Sequence, residues 1–287
     1  MPFPSLQKYL SHLHDTGGNR QPNHQHYWLD QHGQACGRYY HATLTSAFQA
    51  IRTSRGLQAI GYDGYARSYA SNRNEGLNVW RLLEHAANDA ESIELDRLCR
   101  ILHAINFYRQ PEATGHELFL TIHPRLLAGV ASNHGMAFRR VLDLLEIPQQ
   151  NVVLQLPQIS GNQQWILNYV VDNYRRNGFR LGIHAGSAEE ALQLLDQVPL
   201  NAIKLLPEVR DAASHQRLLE KADQSGARLI YKRVQTPQQL TTLQDLHAAA
   251  GSDFFVQGFL FDKPQAELKQ SEALLLGYQP AMQRHAA

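Results

Sequence analysis

The clearest signal along the chain is a series of short, largely apolar runs separated by longer stretches with helical spacing. The runs are LFLTI (118–122), VVLQL (152–156), FRLGI (179–183), AIKLL (202–206), ARLIY (227–231) and FFVQGFLF (254–261). They are strand-length and lack strict alternation, the pattern of strands covered on both faces. Between them, residues 94–108 place Leu95, Leu98, Cys99, Leu102, Ile105 and Phe107 at roughly helical spacing, which predicts an amphipathic helix. Helices are also predicted over 137–147, 163–176, 187–196, 211–225 and 237–249. Ser187 with Glu190 three residues later reads as a capping box, and Thr236 before Pro237 as a cap followed by proline at the first helical position. This alternation predicts a parallel sheet coated with helices. One or two further strands before residue 70 bring the number towards eight, which favours a (β/α)8 barrel over an open sheet. The chemistry of such a barrel sits where its strands end, at the C-terminal mouth.

The first 41 residues read as an N-terminal extension. Leu6, Tyr9, Leu10 and Leu13 fit a short helix over 4–14, and the polar stretch 15–26 reads as loop. Residues 28–42 fit either a hairpin with its turn near His32 and Gly33 or a plain connection to the first strand. The barrel is expected over 42–268, and 269–287 as a tail or helix. Asn72, Arg73 and Asn74 read as loop, and His24 and His26 as a solvated loop rather than a metal site. Trp28, Trp80 and Trp165 read as packing anchors.

Composition narrows the function. The 287 residues hold 27 basic and 26 acidic side chains, a formal net charge of +1, which argues against binding a nucleic-acid polymer. No apolar run is long enough to span a membrane, and the N-terminus lacks a signal-peptide core. A cytoplasmic location is the resulting expectation. Cys36 and Cys99 form neither a CxxC pair nor a disulfide framework.

Several segments resemble, in unbroken order over about 42–265, the motifs of the EAL domain family of cyclic di-GMP phosphodiesterases. LTSAFQAIRTSRGLQAIGYDGYARS (44–68) is similar to the FQPI strand and the GxEALxR motif that open the domain. VVLQLPQ (152–158) falls where the family has LEITE, and GFRLGIHAG (178–186) where it has a strand ending in DDFG. AIKLL falls where it has IKLD, LIYKRVQT (229–236) where it has AEGVET, and QGFLFDKP (257–264) is similar to its QGYxFxxP. The resemblance implies an EAL-type (β/α)8 barrel. In that family two divalent cations, held by Glu, Asn and Asp side chains at the strand ends, activate a water for hydrolysis.

Carried over position by position, the ligand set does not match. The EAL glutamate corresponds to Asp63, the ligand asparagine to Thr121, and the LEITE glutamates to Gln155 and Gln158. The paired aspartates fall on His184 and Ala185, the IKLD aspartate on Leu206 (or Leu205), and the AEGVET glutamates on Lys232 and Gln235. Lys204 and Gln257 match. A cation pair without compensating anions is strongly unfavourable, so no metal centre, no cofactor and no hydrolysis by the family mechanism are expected. The resemblance makes Gln49, Asp63, Arg67, Lys204 and Gln257 candidate ligand-binding residues. Lys204, lacking the family's carboxylates, would need another acceptor, solvent or a phosphate. For Lys232, an ion pair with Asp63 across the barrel and exposure to solvent stand side by side. His184 reads as a satisfied polar residue.

The leading expectation is a catalytically inactive EAL-like domain used as a regulatory module through a protein partner, with homodimerisation a further option. The alternative is a receptor that binds cyclic di-GMP without cleaving it, and the remote alternative an active phosphodiesterase. A mouth filled by Tyr65, Leu206 and Tyr231 would exclude the receptor.

Overall fold

The computed structural model describes residues 27–40, 42–70, 73–77, 89–124, 134–159 and 164–268. The helix expected over 4–14, His24, His26, Trp80 and the tail or helix of 269–287 lie outside the described residues. The chain runs through β1 (Tyr27–Leu29), β2 (Ala35–Tyr39), β3 (Ala42–Thr53), β4 (Ala59–Ala70) and β5 (Arg73–Leu77) into α1 (Asp89–Tyr108). Strands and helices then alternate: β6 (Glu117–Thr121), α2 (His134–Leu144), β7 (Val152–Leu156), α3 (Gln164–Arg176), β8 (Arg180–His184), α4 (Ala188–Gln197), β9 (Ala202–Leu205), α5 (Ala212–Ser225), β10 (Arg228–Tyr231), α6 (Pro237–Ala250) and β11 (Phe255–Val256).

Strands β4 and β6 to β11 are parallel neighbours in order, and β3 pairs with both β11 and β4 to close an eight-stranded barrel. The expectation of a parallel sheet holds for all of these strands but β3. It runs antiparallel to both neighbours. The cause is the short turn over 54–58 joining it to β4, too short for the crossover a parallel pair requires. The run 254–261 is strand only at Phe255–Val256. Beyond it the backbone turns, with the Phe261 and Asp262 N–H groups donating to Gly258 O. Arg73 and Asn74, expected as loop, instead open β5, which extends the sheet on β4, and Asn72 lies outside the described residues.

The stretch after Tyr27 forms a hairpin, β1 on β2, and β2 pairs with β3. Helix α1 fixes this pair through Asn106, whose Oδ1 accepts from the Ala35 N–H at 2.6 Å and whose Nδ2 donates to Ala35 O at 2.8 Å. The Ala35 carbonyl also accepts from the Thr45 hydroxyl at 3.1 Å, so both backbone groups of this buried β2 residue are satisfied. The helices end where their capping residues say. Ser187 accepts from the Glu190 N–H, but the Glu190 carboxylate accepts from the Gly186 N–H and leaves the expected box half made; Thr236 and Gln239 form a full capping box, and Gly226 and Gly251 close α5 and α6 in left-handed conformation.

Strand alternation fills the barrel in layers. At the N-terminal end, Glu117 receives Arg180 and Arg228, each at 2.7 Å. The middle is apolar, with Ile51, Phe119, Val153, Ala202 and Ile230 fully buried. At the C-terminal end come Gln49, Asp63, Gln155, Lys204 and Gln257, all buried. The site is therefore a polar layer on an apolar plug.

Candidate functional site

Asp63 on β4 is the hub of the polar layer. Its Oδ2 accepts from Lys204 Nζ at 2.5 Å, from Gln257 Nε2 at 2.9 Å and from the Tyr65 hydroxyl at 3.3 Å. Lys204 is fully buried and stands 5.2 Å from the Phe119 ring centroid. Burial pushes its pKa down, and the Asp63 carboxylate opposes that shift. The carboxylate and the ammonium neutralise one another inside the barrel. Asp63 Oδ1 is buried and has no protein partner. Gln49 is tied by its Nε2 to Asp262 O at 2.8 Å, and its Oε1 accepts from Tyr65 at 3.4 Å.

The acceptor that Lys204 needs is thus Asp63, and of the two options for Lys232 the ion pair with Asp63 is not made. Lys204 lies on β9 and reaches across the barrel. Lys232 lies just past the end of β10, nearer the rim, where its Nζ donates to His184 Nδ1 at 3.0 Å. That contact leaves the His184 proton on Nε2. Burial, and then the charges of Lys232, Lys204 and Arg233, hold the His184 imidazole well below its usual pKa, so it is neutral. Burial and the neighbouring Arg233 and Lys204 also lower Lys232.

The mouth is open. A cavity of about 540 Å³ is bounded by Gln49, Asp63, Tyr65, Thr121, His184, Lys232, Arg233, Gln235 and Gln257, with Phe259 on its rim. Leu206 instead borders a smaller pocket beside Ser187 and Asp211. Tyr231 is fully buried, its hydroxyl 3.0 Å from His247 Nε2. Arg67 is exposed and donates to Pro264 O at 3.3 Å. Gln155 is buried with both amide atoms unpartnered. Ala185 is buried and donates its N–H to Lys204 O.

Two residues at the mouth escaped the sequence reading, Arg233 and Phe259. Arg233 was visible as an arginine standing where AEGVET has its glycine. It keeps a left-handed backbone, φ +60°, a region that favours glycine. Phe259 is 59% exposed, in the place of the tyrosine of QGYxFxxP.

The donor set does not fit a pair of divalent cations. Of the charged residues bounding the cavity, Asp63 is the one carboxylate among those described, and its Oδ2 is already taken by an ammonium and an amide. Lys232 and Arg233 add positive charge where cations would sit. Among the described residues no three His, Cys, Asp or Glu side chains converge as a metal-binding group.

Comparison with known proteins agrees with the fold. The family model described as EAL domain matches residues 39–264. Among solved structures, Klebsiella pneumoniae BlrP1 in a manganese and cyclic di-GMP complex superposes with a TM-score of 0.65 at 18% identity. The match covers 77% of this chain and 56% of that one. The Xanthomonas citri FimX EAL domain with cyclic di-GMP gives 0.63 at 16% identity, covering 79% and 90%. Bacillus subtilis YkuI, with cyclic di-GMP and calcium, gives 0.63 at 18% identity, covering 80% and 58%. The chain thus spans little more than half the length of the Klebsiella and Bacillus proteins. Among curated proteins nothing matches. No helix among the described residues is long and apolar enough to cross a membrane.

Proposed function

The chain belongs to the EAL domain family, and we propose that within it this chain is a non-hydrolysing domain serving as a regulatory module in cyclic di-GMP-type signalling. One observation carries the reading. Asp63, the carboxylate of the mouth, is bound to Lys204 and Gln257, while Lys232 and Arg233 face the same cavity. Hydrolysis through two cations needs several anions to hold them, and the described lining offers the Asp63 carboxylate alone, already bonded to Lys204 and Gln257. A barrel whose core and caps are intact around such a mouth supports action through binding, with a protein partner as the output. The test is incubation with cyclic di-GMP and manganese, followed by chromatography. No linear dinucleotide is expected; product formation that disappears in Asp63→Asn would overturn the reading.

A second reading, a receptor for cyclic di-GMP, is favoured by the open cavity. Neither Leu206 nor Tyr231 fills it, and Tyr65 and Phe259 offer rings at its edge for a purine. The solved structures named above contain that nucleotide. Calorimetric titration with cyclic di-GMP in chelator tests it. Saturable binding that weakens in Arg67→Ala supports a receptor, and no heat from folded protein counts against it.

A further inference from the structure

One wall of the cavity gathers three nitrogen-bearing side chains, His184 at the end of β8 and Lys232 and Arg233 just past β10. Lys232 contacts His184, and neither Lys232 nor Arg233 has a carboxylate partner among the described residues. Lys204 already balances Asp63, so the Lys232 and Arg233 charges face the cavity without a counter-ion.

The backbone explains how Arg233 comes to be there. The Lys232 N–H donates to Leu205 O at 2.8 Å, the Val234 N–H to Gln257 O at 3.0 Å, and the Leu260 N–H to Val234 O at 3.1 Å. Gly258 lets these segments close so tightly that a Cβ there would collide with the Val234 backbone. Residue 233, clamped between them, takes φ +60°. Glycine would adopt that backbone without strain, and the chain accepts a strained arginine instead.

We infer that Lys232, Arg233 and His184 form a metal-independent phosphate subsite, which takes one phosphate or phosphodiester group of a nucleotide-class anion. The inference rests on the non-hydrolysing reading of the mouth. Lys232 supplies a point charge, Arg233 a planar fork suited to two phosphate oxygens, and His184 a neutral Nε2–H donor. The protein's own cations thus stand in for metal ions.

The test is calorimetry on the full chain in chelator, with cyclic di-GMP and separately with inorganic pyrophosphate as probes. Saturable binding of at least one probe is expected, and Lys232→Gln and Arg233→Gly should each weaken it about tenfold or more. Arg233→Gly should melt no lower than the parent, because glycine relieves the backbone, so its lost binding is not lost folding. Binding of neither probe, binding only with added magnesium, or unchanged affinity in both variants overturns the subsite. Linear dinucleotide formed under manganese in a separate assay overturns the non-hydrolysing reading, so the two failures are told apart.

Discussion

At the scale of single residues, the pairing of Asp63 with Lys204 decides the character of the mouth. A buried ammonium is tolerated only beside its acceptor, and removing one partner strands the other. Asp63→Asn should therefore destabilise the protein by about 3 kcal/mol in urea unfolding. Asp63→Asn combined with Lys204→Met should lose less than the two single changes summed, and simple additivity would argue against the pair. That Asp63 would keep a carboxylate was legible in the sequence. Which lysine it meets was not, because two lysines project towards one centre and strand register chooses between them. A second residue-scale effect concerns acid. His103 is buried against Ser46 at 2.8 Å, and burial pushes its pKa down to about 3; His247, packed on Tyr231, falls to about 4. Both stay neutral in the fold while the unfolded chain takes up protons below its ordinary histidine pKa. The unfolded state then binds more protons, so stability falls as pH drops from about 6.5 towards 3. Melting curves across that range should show the fall, and His103→Asn should flatten it.

At the scale of elements, local signals and long-range ones separate cleanly. The caps at Ser187 and Thr236 and the left-handed glycines 226 and 251 sit next to the ends they set, so α4, α5 and α6 begin and end within a residue or so of expectation. The last apolar run was misread as a full strand because FFVQGFLF has strand composition throughout. Its course is set instead by the contact of Gly258 with Val234, which no local pattern announces. Gly258→Ala should force these segments apart at a loss of about 3 kcal/mol, measured by denaturant titration, and should disturb Arg233 with them. A loss under about 0.5 kcal/mol would mean that the clamp is loose. The direction of β3 was likewise hidden in an apolar pattern, although the short turn to β4 could have revealed it.

At the scale of the whole molecule, the chain holds an EAL barrel whose polar layer pairs one carboxylate, Asp63, with Lys204 and leaves Lys232 and Arg233 facing the mouth. Barrel, helices and motif order were legible because burial and periodicity repeat along the sequence. The charge of the mouth is legible in part, as missing carboxylates and as an arginine in the place of a motif glycine, while the facing of Arg233 into the cavity depends on the packing of β10 against the segment after β11. A mouth of this kind has no need of divalent cations to attract an anion and offers them little to bind. Millimolar magnesium should accordingly leave the melting temperature within about 1 °C of its value in chelator. The most direct measurement is a titration of the full chain with manganese, following the free ion by electron paramagnetic resonance. The account predicts a free-ion signal that rises with added metal as it does in buffer. Saturable uptake of two ions per chain, lost in Asp63→Asn, would contradict it.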